Sequence, residues 1–408
     1  MNKKSILNVA MFALIFFLAL QLFAGKSKTP PPELVSGPLG IMASSDSFVD
    51  GAEVKVTLKN NTQAPITLPS NCPANPLRVL KSTGTAFEEI KAETALPSCE
   101  GMTEILVPAN EEYSVSYKLW NHALFATPGR YKVETTITQE GKEITATSPE
   151  FTIEEAGVLR KFFRAAFYQP IYNLMIFFIK IVPAHDLGLG IILLTILIRL
   201  ILLVPSQRAI VSQRRMQELQ PKLDAIKKEF QGNQERIAQE TMKLWKQHKV
   251  NPFGSCLPLI IQFPFLIAIF YAIQNGLNSD NAYLLYSPLQ NFNFSDIHTN
   301  FLGILELRKI DPYVMPVLIG LLQFAQLKLT MARNKKKNEH KEHKDGEKKP
   351  STEMEAANKM MIYIMPVMIG VFTASLPAGV GLYWGISTLF AIVQQLVANR
   401  KSLTALTH

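Results

Sequence analysis

The sequence lacks most of what an enzyme would display. Its 408 residues hold three cysteines. They contain no CxxC pair, no HExxH and no glycine-rich phosphate loop, which removes the common zinc, thiol-redox and nucleotide chemistries. The histidines within RNKKKNEHKEHKDGEKKP (333–350) have no regular ligand spacing, so no metal site is expected. The apolar segments hold no paired aspartates and no Ser–His set, which argues against an intramembrane hydrolase. No convincing internal repeat is visible either. That lack weakens, without removing, the alternative of a secondary transporter with a mid-membrane Arg site, since transporter halves usually repeat. No catalytic residue and no cofactor are expected.

What the chain does have is apolar residues, 48% of the total, gathered in blocks near 5–24, 187–204, 256–275, 312–332, 360–376 and 379–398. Each block approaches the ~20 residues that a helix needs to cross ~30 Å of hydrocarbon. The segments between them alternate in charge. Residues 205–251 carry ten Lys/Arg against five acids, and 331–359 carry nine against six, while 276–312 and 26–156 are net acidic. Basic segments stay cytoplasmic, so six spans place both termini in the cytoplasm. The net charge of +9 is therefore a matter of topology, and DNA is not expected as a partner. The first block, within 1–25, reads as an uncleaved anchor. It is long for the apolar core of a signal peptide, and no good A-x-A pattern follows it.

Residues 26–156 change character after the linker KSKTPPPE. Short alternating runs, VKVTLKN (54–60), LRVLKS (77–82), EEYSVSYKL (111–119) and RYKVETTIT (130–138), are separated by turn residues. They predict an exported β-sandwich of immunoglobulin-like type. Cys72 and Cys99 fall in this exported segment, where a disulfide is permitted; a bridge is expected, and two free thiols are the alternative. Residues 157–183 are apolar on one side but interrupted by Arg160, Lys161, Arg164, Lys180 and Pro170. They predict an amphipathic helix lying in the outer interface.

The core, 184–400, contains a basic helical segment at 207–249. There Met216, Leu219, Leu223, Ile226 and Phe230 recur at spacings of three and four, and Gly232-Asn233 marks the turn of a helical hairpin. Its basic outer faces could meet an acidic partner such as ribosomal RNA. Residues 333–358 read as a disordered basic loop, and 401–408 as a short cytoplasmic tail. Polar residues interrupt the apolar blocks at Thr195, Arg199, Gln262, Gln323, Gln326, Thr373, Ser375, Tyr383 and Trp384. Most such residues simply glue helices together.

Arg199, in ILLTILIRLILLV (192–204), is different. A charge near the centre of a membrane helix costs about 2.5–3.5 kcal/mol on insertion scales. Side chains tilt toward the helix N-terminus. In a span running from outside to inside, that tilt aims the guanidinium toward the bilayer centre and away from the nearer water. A water-filled pocket open to the cytoplasm would satisfy it, and Thr195, one turn outward, would extend the polar stripe.

TILIRLILLVPSQRAIVSQRRMQELQPKL (195–223), ERIAQETMKLWKQHKVNPFGSCLPLIIQFPFLIAIFYAI (235–273), DPYVMPVLIG (311–320) and MPVMIGVFTASLPAGVGLYWGISTL (365–389) resemble the YidC/Oxa/Alb family of membrane protein insertases. The resemblance covers about 157–400. It implies a five-helix core around a hydrophilic groove that is open to cytoplasm and lipid and closed on the outside. Arg199 matches the groove arginine. Thr195, Gln262 and Tyr383 fall on positions lining the groove or the substrate slide, with Gln323 and Trp384 as further candidates. Ser375 stands where an aromatic is common, and Trp384 where Tyr is common. The implied partners are nascent membrane proteins, the lipid bilayer, the Sec translocon and the ribosome. The implied location is the bacterial inner membrane, with a monomeric core.

Overall fold

Alternating runs become strands because side chains on a strand point to opposite faces in turn. In β3 (Lys55–Asn60) the residues Val56 and Leu58 are buried, while Lys55 is exposed. The structure, a computed structural model, describes residues 37–68, 75–90, 92, 104–118, 120–139, 142–248, 250, 257–342 and 352–404. The expected anchor at 1–25 and both Cys72 and Cys99 lie outside the described residues. The chain divides into two compact units, Met1–Arg164 with Asn278–Tyr283, and Ala165–Leu277 with Leu284–His408.

The first unit is β-rich. One sheet has the order β1 (Leu39–Ala43), β3, β8 (Glu112–Ser116), all antiparallel. The other is built on the 11-residue strand β9 (Gly129–Gln139). It pairs with β5 (Arg78–Ser82), β10 (Lys142–Thr147) and β11 (Phe151–Glu154), while β6 (Phe87–Ile90) extends the β5 edge. β2 (Ser47–Val49) closes the far side, parallel to β11, and β4 (Ile66–Leu68) pairs with β7 (Ile105–Val107). Both sheets contribute to one core, with Ile41, Val56 and Leu58 from the first and Val79, Tyr131, Val133 and Phe151 from the second. Burying each such side chain contributes roughly 1.5–3 kcal/mol. A single helical turn, α1 (Asn121–Leu124), adds Leu124 to that core.

The expected interfacial helix at 157–183 is two α-segments, α2 (Val158–Phe163) and α3 (Gln169–Ile181), joined by a π-turn over Arg164–Tyr168. Pro170 does not end the helix, contrary to expectation. It sits in the first turn of α3, where the proline's missing N–H forfeits little.

In the second unit, α3 buries Ile171, Tyr172, Met175, Ile176 and Ile179 and packs on α4 (Leu187–Ile201). The close approach needs Gly190, where a Cβ would stand 2.7 Å from Ile179 Cγ1. Polar groups of α3 hold the chain near 276–286. The Tyr172 hydroxyl donates to Gly276 O at 2.7 Å, and Asn173 donates to Leu284 O at 2.9 Å while accepting from Tyr286 N at 2.7 Å.

α4 starts at an N-cap, Asp186, whose carboxylate accepts from Leu189 N at 2.8 Å. It turns through 63° into α5 (Leu203–Glu218). Pro205 lies in the first turn of α5 and cannot donate to a carbonyl of α4, a normal cause of such a break. The rest of the segment expected as a two-armed hairpin, 207–249, forms two further helices, α6 (Gln220–Glu229) and α7 (Gln234–Gln247). The extra division falls just before Pro221, for the same reason. α6 and α7 pack together, with Leu219, Leu223 and Leu244 buried.

α8 (Leu257–Tyr271) follows and ends in a π-turn at Ala272–Gly276. Beyond the small β12–β13 pair (Asn300–Phe301 and Leu305–Glu306) come α9 (Val314–Glu342), α10 (Thr352–Thr373) and α11 (Ala378–Thr404). α9 packs against α10 and α11, and α11 packs against α4 and α8. Residues 333–342 and 352–358, expected within a disordered loop, are helical. Once an apolar helix has been nucleated, each added residue costs little, and Lys, Arg and Glu are good helix formers. Among the described residues one helix, Ala378–Val397, is long and apolar enough to cross a membrane. The bent α4–α5 pair passes as a broken span, and Ile261–Gly276, Val314–Thr330 and Ile362–Thr373 are shorter apolar helices.

Candidate functional site

The site forms where α4, α8 and α11 bring polar groups into apolar surroundings. α4 buries Leu187, Ile191, Leu194, Thr195 and Ile198 along one stripe. Its other side exposes Leu189, Leu193, Ile196, Leu200 and Ile201, which suits a hydrocarbon solvent rather than water. Arg199 lies in the last turn, half-buried between the two.

Arg199 takes part in none of the ion pairs found among the described residues. Its Nε is buried and makes no hydrogen bond. Its electrostatic neighbour is Tyr383 of α11. Tyr383 is 1% exposed and accepts a hydrogen bond at its hydroxyl from Gln262 Nε2 of α8. A cation, a phenol and an amide from three helices thus meet, with no carboxylate of the described residues paired to the cation. The guanidinium retains donors for an anionic or carbonyl-bearing visitor, since Arg has five N–H groups and no acceptor.

The other expected site residues go elsewhere. Thr195 is fully buried and its hydroxyl donates to Ile191 O, one turn back, at 2.6 Å. It spends its hydrogen bond on its own helix, a common state for threonine within an apolar helix. Gln323 of α9 donates to Thr388 Oγ1 at 3.3 Å, in the α9–α11 seam. Trp384 is half-buried and sets its ring edge-on to Phe372 of α10, with centroids 6.3 Å apart.

The sequence model of the family described as 60Kd inner membrane protein matches residues 177–405. Over 217 residues the chain is 33% identical to a protein named membrane protein insertase YidC from Oceanobacillus iheyensis. That match spans 52% of this chain and 74% of the relative. A YidC insertase from Fusobacterium nucleatum is 32% identical over 53% of this chain and 87% of its own length. The membrane protein insertase MisCA of Bacillus subtilis is 33% identical over 55% and 74%.

The chain belongs to this family.

Family membership places it in the inner membrane. The family match begins at 177 and so takes in Arg199, Gln262, Gln323, Tyr383 and Trp384, while strands β1 to β11 lie before it. Two polar residues of the same region escaped the sequence reading. Ser206 of α5 donates to Gln394 Oε1 of α11 at 2.8 Å. The signal that could have found Gln394 is a polar repeat, Tyr383–Ser387–Gln394, at spacings of four and seven along α11, which returns to one helix face.

Proposed function

We propose that this chain inserts nascent membrane proteins into the bilayer through a polar groove lined by Arg199, Gln262 and Tyr383. The observation that carries this reading is Arg199 itself, a cation in an apolar helix with a buried, unpaired Nε and no carboxylate beside it. A structural arginine at such a cost would be paired. An unpaired one is available to a transient partner.

The groove opens to the cytoplasm and the lipid and is closed on the outside, within a core of five spans that follows an N-terminal anchor. Both termini are cytoplasmic. A hydrophobic segment with a short polar flank must carry that flank across hydrocarbon. A wet recess shortens the apolar path, and Arg199 offers acidic groups on the flank a partner that attracts them strongly at low dielectric. Release follows as the apolar segment enters lipid. No covalent bond is made or broken. Thr195, Gln323 and Trp384 support the helices that shape the recess. The β-rich unit is an exported, immunoglobulin-like domain, and the helices of 207–249 receive substrate from the ribosome, with or without the Sec translocon. The core acts as a monomer. No observation favours the secondary-transporter alternative.

The test is insertion of a single-span substrate with an acidic exported tail into membranes carrying wild type, Arg199→Ala or Arg199→Glu at matched expression. Both variants are expected to insert it poorly, Arg199→Glu the worse of the two. Normal insertion by both would remove Arg199 from the mechanism.

A further inference from the structure

The polar face of α11 does not end at the recess. Tyr383, Ser387 and Gln394 return to one face of the helix, and the eleven steps from Tyr383 to Gln394 cover about 16 Å at 1.5 Å per residue. All three are buried. At the far end Gln394 is 6% exposed. Its Oε1 accepts from Ser206 at 2.8 Å, while its Nε2 is buried with no hydrogen-bond partner. Because Ser206 occupies the oxygen, the amide is held with its N–H₂ turned the other way.

Ser206 lies four residues past Leu202, where α4 turns through 63° into α5. Arg199 stands just before that bend, also with an unpaired buried nitrogen. Two donors without acceptors therefore flank one seam, between the α4–α5 bend and α11. Buried donors are rarely left unpaired in folded proteins; Ser387 Oγ, on the same face, is a third unpartnered atom and can donate or accept, while the two nitrogens can only donate. An extended polypeptide in an apolar setting has the opposite need, since its carbonyl oxygens have no water to accept from.

We propose that Gln394 is a substrate-binding residue. Its Nε2–H₂, oriented by Ser206, donates to backbone carbonyls of an extended polypeptide entering between the α4–α5 bend and α11, in series with Arg199. This rests on the insertase reading above. Arg199 answers acidic side chains, whereas Gln394 answers the peptide backbone and is indifferent to sequence. Gln394 is buried without substrate, and entry of the chain from the groove satisfies donors that are otherwise idle.

The experiment uses the full chain in membrane vesicles with two ribosome-bound single-span substrates, one with an acidic exported tail and one with a neutral tail. Four proteins are compared at matched abundance. They are wild type, Gln394→Met, which keeps the shape and removes the amide, Gln394→Glu, which keeps an oxygen for Ser206 and loses the donor in its ionised form, and Thr330→Val. The last removes a comparable helix-to-helix bond of α11, Thr330 to Gln395 at 3.2 Å, made to α9 and not to α5. Both Gln394 variants are expected to lower insertion of both substrates about three- to tenfold, and Thr330→Val to stay within twofold of wild type. A photoreactive residue at position 394 is expected to crosslink to the nascent chain. Insertion at wild-type level by Gln394→Met, an equal loss in Thr330→Val, or absence of the crosslink each overturns the proposal. Failure of the wild-type protein to insert either substrate overturns the insertase reading instead.

Discussion

Tyr383 and Gln262 join α11 to α8 through one hydrogen bond between residues 121 positions apart, and a double-mutant cycle measures what that bond contributes. Tyr383 is buried, so Tyr383→Phe removes an oxygen without opening a void, and leaves the Gln262 N–H₂ without its acceptor. Gln262→Leu does the converse and removes the donor to the phenol oxygen. Each single change loses the bond between them and leaves one group without that partner, at up to about 1–3 kcal/mol where water does not replace it. The double variant strands neither group, so the two costs do not add. Hydrogen bonds between membrane helices, measured in this way, average about 0.6 kcal/mol and reach about 1.7. The Tyr383 pair is expected near the upper end, because it is buried and lies beside the charge of Arg199. The assay is unfolding in mixed micelles titrated with SDS, followed by helical circular dichroism. A coupling of 1 kcal/mol changes the unfolding constant by roughly fivefold. Single costs that simply add, within about 0.3 kcal/mol, would refute the view that the bond ties the two helices together.

Gly370 of α10 is expected to tolerate no side chain. A Cβ there would lie 2.8 Å from Pro316 O, a backbone atom of α9, so Gly370→Ala should cost about 1–3 kcal/mol by overpacking; Gly320→Ala, whose Cβ meets Pro366 O at 3.5 Å, should cost less in the same SDS titration. In the β-rich unit, partial burial of the surface residue His122 lowers its pKa from the ordinary value, with Asp50 opposing and Arg164 reinforcing the shift. The unfolded chain then binds that proton more readily, so the stability contributed by neutral His122 is complete above its ordinary pKa near 6.5 and is lost as pH falls below it. His122→Phe keeps a ring for the stack on Tyr283, whose centroid is 3.7 Å away. It should flatten the loss of thermal stability between pH 7 and 5; an unchanged slope would refute the assignment.

The strands were legible because period-two alternation and turn residues are local signals. RYKVETTIT needs no distant partner to read as β9, and its burial follows from which of its faces is apolar. The helices were legible as apolar blocks but not in their breaks. ILLTILIRLILLV is continuous in composition, so the bend at Leu202 left no mark in it, and only Pro205 beyond it hinted at one. Lysines and glutamates at 333–342 read as solvated chain because composition does not register a helix already nucleated by the apolar segment before it. The recess was legible by residue type and not by partner. Arg199, Gln262 and Tyr383 stand out as polar groups in apolar runs, yet which of them meet is decided by packing between helices far apart in sequence.

Thr195 shows that limit at a single atom, and it yields the sharpest test. Its position one turn from Arg199 suggested a hydroxyl facing the same recess. In the fold the residue is fully buried and the hydroxyl is bonded to Ile191 O at 2.6 Å, so what remains for Thr195 to contribute is volume in the helix interface. Two substitutions separate the roles. Thr195→Val keeps the branched shape and loses the oxygen, while Thr195→Ser keeps the oxygen and deletes a methyl group from a closed interface, where such losses cost about 1 kcal/mol. If packing governs, the valine variant retains more stability and more insertion activity than the serine variant, because an oxygen already bonded within its own helix contributes little across the interface. If the hydroxyl serves the substrate, the order inverts. Insertion ranked with serine above valine, at equal abundance, would restore Thr195 to the groove and show that the closed seam around it opens in use.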